Sequence, residues 1–217
     1  MSRGDAAHHG CAVLLAVKPF SLAKSRLAPV LGPAERAELA RSMATSVVAA
    51  AGQLPVFVIC GDLEVAAWAE SLGATVLRDP GSGLNPAVSA GVNEVAELGF
   101  ARVIVAHGDL PLLRTFAAFV IDNPTMIVIA PDRHGTGTNI VSIPVEAVGA
   151  VANIGSASTE HFQFCFGPGS FARHQSEALR TRLQVRIVRD LGSATDIDTP
   201  SDLHHLTQLQ EKPHEHS

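Results

Sequence analysis

Short apolar runs rich in β-branched residues alternate along the chain with segments of helical period, the pattern of crossover units built around a mostly parallel sheet. Seven runs have strand length and composition: Ala12 to Val17, Val56 to Cys60, Thr75 to Leu77, Arg102 to His107, Met126 to Ala130, Asn139 to Ile143 and Val185 to Val188. Near-continuous hydrophobicity predicts that most of them are buried on both faces. After the first run, Gly32-Pro33 predicts a helix start. Leu39, Met43 and Val47 with Ala40, Ala44 and Val48 then form one apolar stripe that ends near Gly52. Glu64 to Leu72, Pro86 to Leu98 and Arg173 to Leu183 read as further helices. Thr199-Pro200-Ser201-Asp202 combines a cap, a proline at the first helical position and an acid three residues after the cap, so a short helix is expected there. Gly81 to Pro86 and Gly149 to Gly169 break the rhythm and read as loops, the second as an insertion. Glu211 to Ser217 reads as a frayed tail. The expectation is a single domain over 1–210, with the insertion at about 149–169 and a flexible tail at 211–217.

The composition narrows the class without changing this picture. At 217 residues, 47% apolar and 17% charged, with mean hydropathy +0.23, the chain can bury a real core and is not disordered or coiled-coil. Its apolar runs are too short for a membrane helix, and the first residues lack the basic-then-apolar order of a secretory signal, so a cytoplasmic location is expected. Cys11, Cys60 and Cys165 are an odd number without C-x-x-C spacing and are expected to be reduced, mostly buried thiols. Sixteen basic against 21 acidic residues, with no basic stripe, argue against a nucleic-acid partner.

In an open α/β sheet, ligands bind beyond the carboxyl ends of the strands, and three segments lie there. The first strand runs into Lys18-Pro19-Phe20-Ser21-Leu22-Ala23-Lys24-Ser25-Arg26, with three cations in nine residues. They suit a phosphate, though a solvated basic loop has the same pattern, and the glycines of a P-loop are missing. His107-Gly108-Asp109-Leu110-Pro111 delivers a carboxylate at a strand tip, where Mg²⁺ or a turn cap would use it. Asp196-Ile197-Asp198 alternates two carboxylates onto one face, where a cation would relieve their repulsion; capping is the other reading. Asp132 to Asn139 alternates glycine with hydroxyls, and Phe166 to His174 places Ser170 at a helix start with Arg173 and His174 in its first turn. Both offer anion contacts. The histidines lack zinc spacing, and no G-x-S-x-G occurs.

Together, K-P-x(3)-A-K-S-R-L-A-P-V-L at 18–31, G-D-L-P at 108–111, G-T-G-T at 135–138, F-G-P-G-S-F-A-R-H at 166–174 and D-I-D-T-P-x-D-L at 196–203 resemble the guanylyltransferase family of deazaflavin coenzyme (coenzyme F-420) biosynthesis. The resemblance covers nearly all of residues 12–205. It implies an α/β, three-layer nucleotidyltransferase fold of GT-A type with a mostly parallel central sheet. It also implies the reaction, in which the phosphate of a small phosphorylated carboxylic acid attacks the α-phosphorus of GTP and pyrophosphate leaves. Phosphoenolpyruvate is the favoured acid, with 2-phospho-L-lactate and 3-phospho-D-glycerate as alternatives.

Carried over by matching position, Asp109, Asp196 and Asp198 would hold Mg²⁺, and Thr138, Gly167 and Ser170 would bind the phospho-acid. Lys18, Lys24 and Arg26 would face the triphosphate, with Lys24 and Arg26 acting catalytically, and Leu84 with Asn85 would approach the base or sugar. The attacking phosphate is already an anion, so no general base is required. A homodimer and handover to the next enzyme of the pathway are further expectations. One departure is the connection of about 27 residues at 139–165, expected to be shorter in bacterial phosphoenolpyruvate members. A CTP-using enzyme of molybdenum-cofactor type would resemble G-x-G-x-R in the first loop, which this chain lacks. A non-catalytic nucleotide sensor would not need all three carboxylates.

Overall fold

A computed structural model describes residues 10–149 and 161–211. Seven strands form one sheet, in chain order β1 (Cys11–Ala16), β2 (Val56–Cys60), β3 (Thr75–Arg78), β4 (Arg102–Ala106), β5 (Met126–Pro131), β6 (Thr138–Pro144) and β7 (Gln184–Ile187). Their order across the sheet is β3-β2-β1-β4-β6-β5-β7. All neighbouring pairs are parallel except β4 with β6 and β5 with β6, so β6 alone runs against its neighbours.

Alternation within the strands builds the layers, because successive side chains of a strand face opposite sides. Val13, Leu15, Val58, Ile104 and Val128 point to one face. There they pack on α1 (Pro33–Ala50) and α2 (Leu63–Ser71). Leu14, Ile59, Val103, Ile127 and Val141 point to the other, where they meet α3 (Leu84–Glu97), α4 (Ser170–Arg180) and the Phe162, Phe164 and Phe166 side chains. The result is the three-layer α/β architecture expected. Two further helices close the chain, α5 (Leu191–Ala194) and α6 (Pro200–Glu211). Leu206 of α6 joins Leu27, Met43 and Ile197 in a small third cluster, which fixes the Asp196–Asp198 segment beside the first loop.

Several boundaries differ from the sequence reading, each for a local reason. The supposed loop at 81–86 ends earlier, because α3 begins at Leu84 and Pro86 stands in its first turn. Proline is tolerated there, since first-turn amides have no intrahelical partner to lose. The last helix-forming residue of α4 is Arg180, not Leu183. Arg182 adopts a left-handed conformation, φ 58°, and Leu183 N–H bonds back to Ala178, a helix-ending arrangement that glycine usually signals. Edge strand β7 is exposed at all four residues instead of buried. Most of the stretch read as an insertion, 150–160, lies outside the described residues, as does the tail beyond 211. Beyond the gap, Phe162, Phe164 and Phe166 are core residues. Among the described residues no helix is long and apolar enough to cross a membrane. Cys11 and Cys60 are buried thiols, and Cys165 is half-buried.

Candidate active site

The C-terminal ends of β1 and β4 and the start of the antiparallel β6 meet at one end of the strands, in the middle of the sheet. The pairing of Ala106 with Ile140, and the His107 amide bonded to the Asn139 carbonyl at 3.0 Å, bring the strand tip of Asp109 beside Thr138 and Asn139. The Ile197 amide bonds to the Asp109 carbonyl at 3.3 Å, which draws in the third segment. Ile197 is fully buried. Asp196 and Asp198 accordingly flank a buried anchor, as their alternation predicts. Asp202 closes the cap of α6: its carboxylate accepts from the Thr199 amide at 2.7 Å and the Asp198 amide at 3.1 Å, and it also pairs with Arg133.

Between these carboxylates stands Lys24. Its Nζ lies 2.6 Å from Asp109 Oδ2 and 2.9 Å from Asp198 Oδ1, and its side chain is only 9% exposed. Its backbone is left-handed, φ 54° and ψ 38°, between two short 3₁₀ turns. That conformation costs a non-glycine residue about 1–2 kcal/mol, so the two ion pairs hold it in place. Burial works to lower the Lys24 pKa, but the two carboxylates outweigh it and hold the ammonium above the usual lysine range. Burial likewise works to raise Asp109, and Lys24 and His107 override it, so this carboxyl sits below its ordinary value. Asp196 behaves oppositely. Burial, then the charges of Asp109 and Asp198, raise it, against a hydrogen bond from Asn139 Nδ2 at 3.2 Å.

Lys18, Lys24, Arg26, Leu84, Asp109 and Asp198 line one cleft of about 420 Å³. The cations read from the first loop and two of the three carboxylates therefore share a single cavity. Lys18 and Arg26 are exposed, and Arg26 reaches Asp198 at 3.5 Å. A larger cavity of about 840 Å³ opens at the opposite end of the strands, around Arg102. Its charged lining is Arg102, Asp122 and Glu146, and the Arg102 guanidinium is already bonded to Ser142 Oγ and to the Asn123 and Met126 carbonyls.

The residues assigned to the phospho-acid are not among those lining this cleft. Thr138 and Ser170 are buried and Gly167 is exposed, with φ 115°. Thr138 Oγ1 meets His174 Nδ1 at 3.0 Å, and His174 Nε2 accepts the Cys165 amide at 2.9 Å. His174 is thus an internal brace between β6, α4 and the 161–166 segment. Asn85 is a second brace: its Oδ1 accepts the Phe166 amide at 2.7 Å and its Nδ2 donates to the Phe166 carbonyl at 3.2 Å. The amide assigned to nucleotide from the resemblance is therefore bonded to the Phe166 backbone, next to Gly167, while Leu84 faces the cleft. Asn85→Ala is expected to lose about 1–3 kcal/mol of local stability and to raise the acceptor KM more than the GTP KM. Hydrogen exchange at residues 161–166 together with steady-state kinetics checks both.

Sequence reasoning missed His107 and Asn139. His107 Nε2 is buried without a hydrogen-bond partner, 5.3 Å ring to ring from Phe166, and Asn139 orients Asp196. Only the polar pair Thr138-Asn139 opening an otherwise apolar strand hinted at the second.

Asp109 Oδ1 is likewise a buried oxygen without a partner, and Asp196 is short of positive charge. These oxygens have the hard-donor chemistry that suits Mg²⁺. Among the described residues, however, no group of three or more His, Cys, Asp or Glu side chains is arranged to hold a metal ion as it stands. Lys24 stands between Asp109 and Asp198, paired with one oxygen of each.

A family model described as guanylyl transferase CofC like matches residues 11–214. This chain belongs to that family. It is 37% identical over 198 residues to a phosphoenolpyruvate guanylyltransferase of Sphaerobacter thermophilus, covering 88% of this chain and 89% of that one. A protein of the same name from Rubrobacter xylanophilus is 37% identical, covering 88% and 90%. Among solved structures, one from Desulfovibrio desulfuricans G20, provisionally assigned as a nucleotide-diphospho-sugar transferase, superposes with a TM-score of 0.73 at 18% identity. It covers 95% of this chain and 89% of that one. A nucleotidyl transferase from Methanothermobacter gives 0.59 at 16%, covering 94% and 99%. At such identities the structures speak for the fold alone, and that fold is the nucleotidyltransferase fold the sequence predicts. The family makes the chain a guanylyltransferase, an enzyme of the nucleotidyltransferase class.

Proposed function

We propose that this enzyme transfers the guanylyl group of GTP to the phosphate of phosphoenolpyruvate, with release of pyrophosphate, in coenzyme F-420 biosynthesis. One observation carries the reading: the cations of the first loop and the carboxylates of Asp109 and Asp198 share one cleft, in a chain with strong likeness to phosphoenolpyruvate guanylyltransferases. In the step itself, a phosphate oxygen of the acid forms a bond to the α-phosphorus of GTP, and the bond from that phosphorus to the bridging oxygen of pyrophosphate breaks. The chain needs to align the two phosphates and offset their charge, and it needs no covalent nucleophile.

Lys18 and Arg26, exposed at the cleft mouth, receive the triphosphate, and Lys24 lies deeper beside them. Thr138, Gly167 and Ser170 are the residues this reading assigns to the phospho-acid, with His174 and Asn85 bracing their segments. Asp109, Asp196 and Asp198 would hold Mg²⁺, which when bound supplies charge neutralisation at the transferred group. The deciding experiment measures pyrophosphate release from purified protein with GTP and Mg²⁺, offering phosphoenolpyruvate, 2-phospho-L-lactate and 3-phospho-D-glycerate in turn. Turnover with phosphoenolpyruvate and GTP, and not with CTP or ATP, is the expected result. Turnover with another acid moves the acceptor assignment, and silence with all three sinks the proposal.

A further inference from the structure

Lys24 is an unusual occupant for the place between two carboxylates assigned to a metal. The ammonium engages one oxygen of each, Asp109 Oδ2 at 2.6 Å and Asp198 Oδ1 at 2.9 Å, so a divalent ion held by the same two carboxylates would lie within a few ångströms of it. Two cations that close together in a partly buried site repel, so the resident ammonium weakens metal binding there. The single ammonium also leaves the cluster undersupplied with positive charge. Asp109 Oδ1 is buried without a partner, and Arg26 reaches Asp198 Oδ2 only at 3.5 Å.

From this geometry we infer that Lys24 is a resident counter-ion, a positioning residue that keeps Asp109 and Asp198 closed against divalent metal until nucleotide is bound. The inference rests on the metal assignment in the proposed function and adds the order of events to it. An anion more highly charged than a carboxylate, brought into the cleft between Lys18 and Arg26, gives the ammonium a competing partner within the same cavity. Departure also lets the backbone at Lys24 leave its left-handed conformation, so release of strain favours the exchange. Once the ammonium has moved, the two carboxylates are left without its charge, and metal loading becomes conditional on GTP. Without nucleotide the carboxylates stay aligned instead of splaying apart through mutual repulsion.

The test is Mn²⁺ binding to nucleotide-free protein, read by electron paramagnetic resonance as loss of the free-ion signal. Lys24→Gln removes the charge and is expected to bind one Mn²⁺ at least about tenfold more tightly than wild type, while Lys24→Arg stays close to wild type. The double variant Lys24→Gln with Asp109→Asn is expected to lose the added affinity, which locates the ion. Mn²⁺ should also raise the melting temperature of Lys24→Gln more than that of wild type. Equal Mn²⁺ affinity in wild type and a folded Lys24→Gln overturns the inference. So does nucleotide-free wild type that takes up Mn²⁺ as tightly as it does with GTP bound, a result that needs no variant. Absence of Mn²⁺ binding in every protein, with GTP as well as without it, is a different failure and removes the metal assignment itself.

Discussion

Asp109→Asn is expected to lower kcat for pyrophosphate release by about a hundred- to a thousandfold, with little change in fold or melting temperature. The size follows from charge: an Asn amide keeps the shape but removes a full negative charge where the reaction must place its cations, and losses of one preorganised electrostatic group fall in this range. The small effect on folding follows from geometry, since Lys24 retains Asp198 at 2.9 Å and its buried ammonium is not left without a partner. The Asp109 carbonyl that receives the Ile197 amide belongs to the backbone and survives the substitution. Steady-state kinetics with GTP and the acid, alongside thermal unfolding, reads both. A variant with near-wild-type turnover would exclude Asp109 from the reaction. A variant that unfolds would make Asp109 a structural ion-pair partner first.

The sequence carried the layers of this fold because the strands β1, β2, β4, β5 and β6 are nearly continuous apolar runs, and such runs have few alternatives to a doubly covered sheet. It also carried the start of α6. Thr199, Pro200 and Asp202 act locally, and the hydrogen bonds expected from their spacing form. Where the reading stops, the determinants are not local. Nothing in Lys24 or its neighbours signals a left-handed backbone, because that conformation is held by partners 85 and 174 residues away. Asn85 is assigned to the nucleotide only by the resemblance, and nothing near it in the sequence signals its bonds. Its partner, Phe166, is 81 residues distant, and its bidentate bond to that backbone exists only once the sheet has formed. The site shares this division: which segments converge was legible from strand ends, whereas which atoms pair within them was not.

His174 makes the same point about long-range structure through pH. It is fully buried, and its Nε2 accepts a hydrogen bond from the Cys165 amide, so Nδ1 carries the proton and donates to Thr138 Oγ1. A second proton would remove the acceptor and place a charge among Phe162 and Phe166, which pack on the ring. Burial first, then the charges of Arg173 and His107, lower its pKa to about 4 from 6.5, against a smaller opposing effect of Glu177. As pH falls below 6.5, the unfolded chain takes up this proton while the folded chain refuses it until about pH 4. The contribution is therefore complete above pH 6.5 and drains away between 6.5 and 4, by about 3 kcal/mol in all at 1.36 kcal/mol per pH unit. Urea unfolding at intervals from pH 7.5 to 4.5 should show wild type losing stability more steeply than His174→Gln, which can still accept from the Cys165 amide but does not titrate. Parallel curves would contradict the assignment of this slope to His174. Because the ring joins Thr138 to the 161–166 segment, the same acid range should loosen the residues assigned to the phospho-acid before the carboxylate end, raising the KM of the phospho-acid ahead of that of GTP.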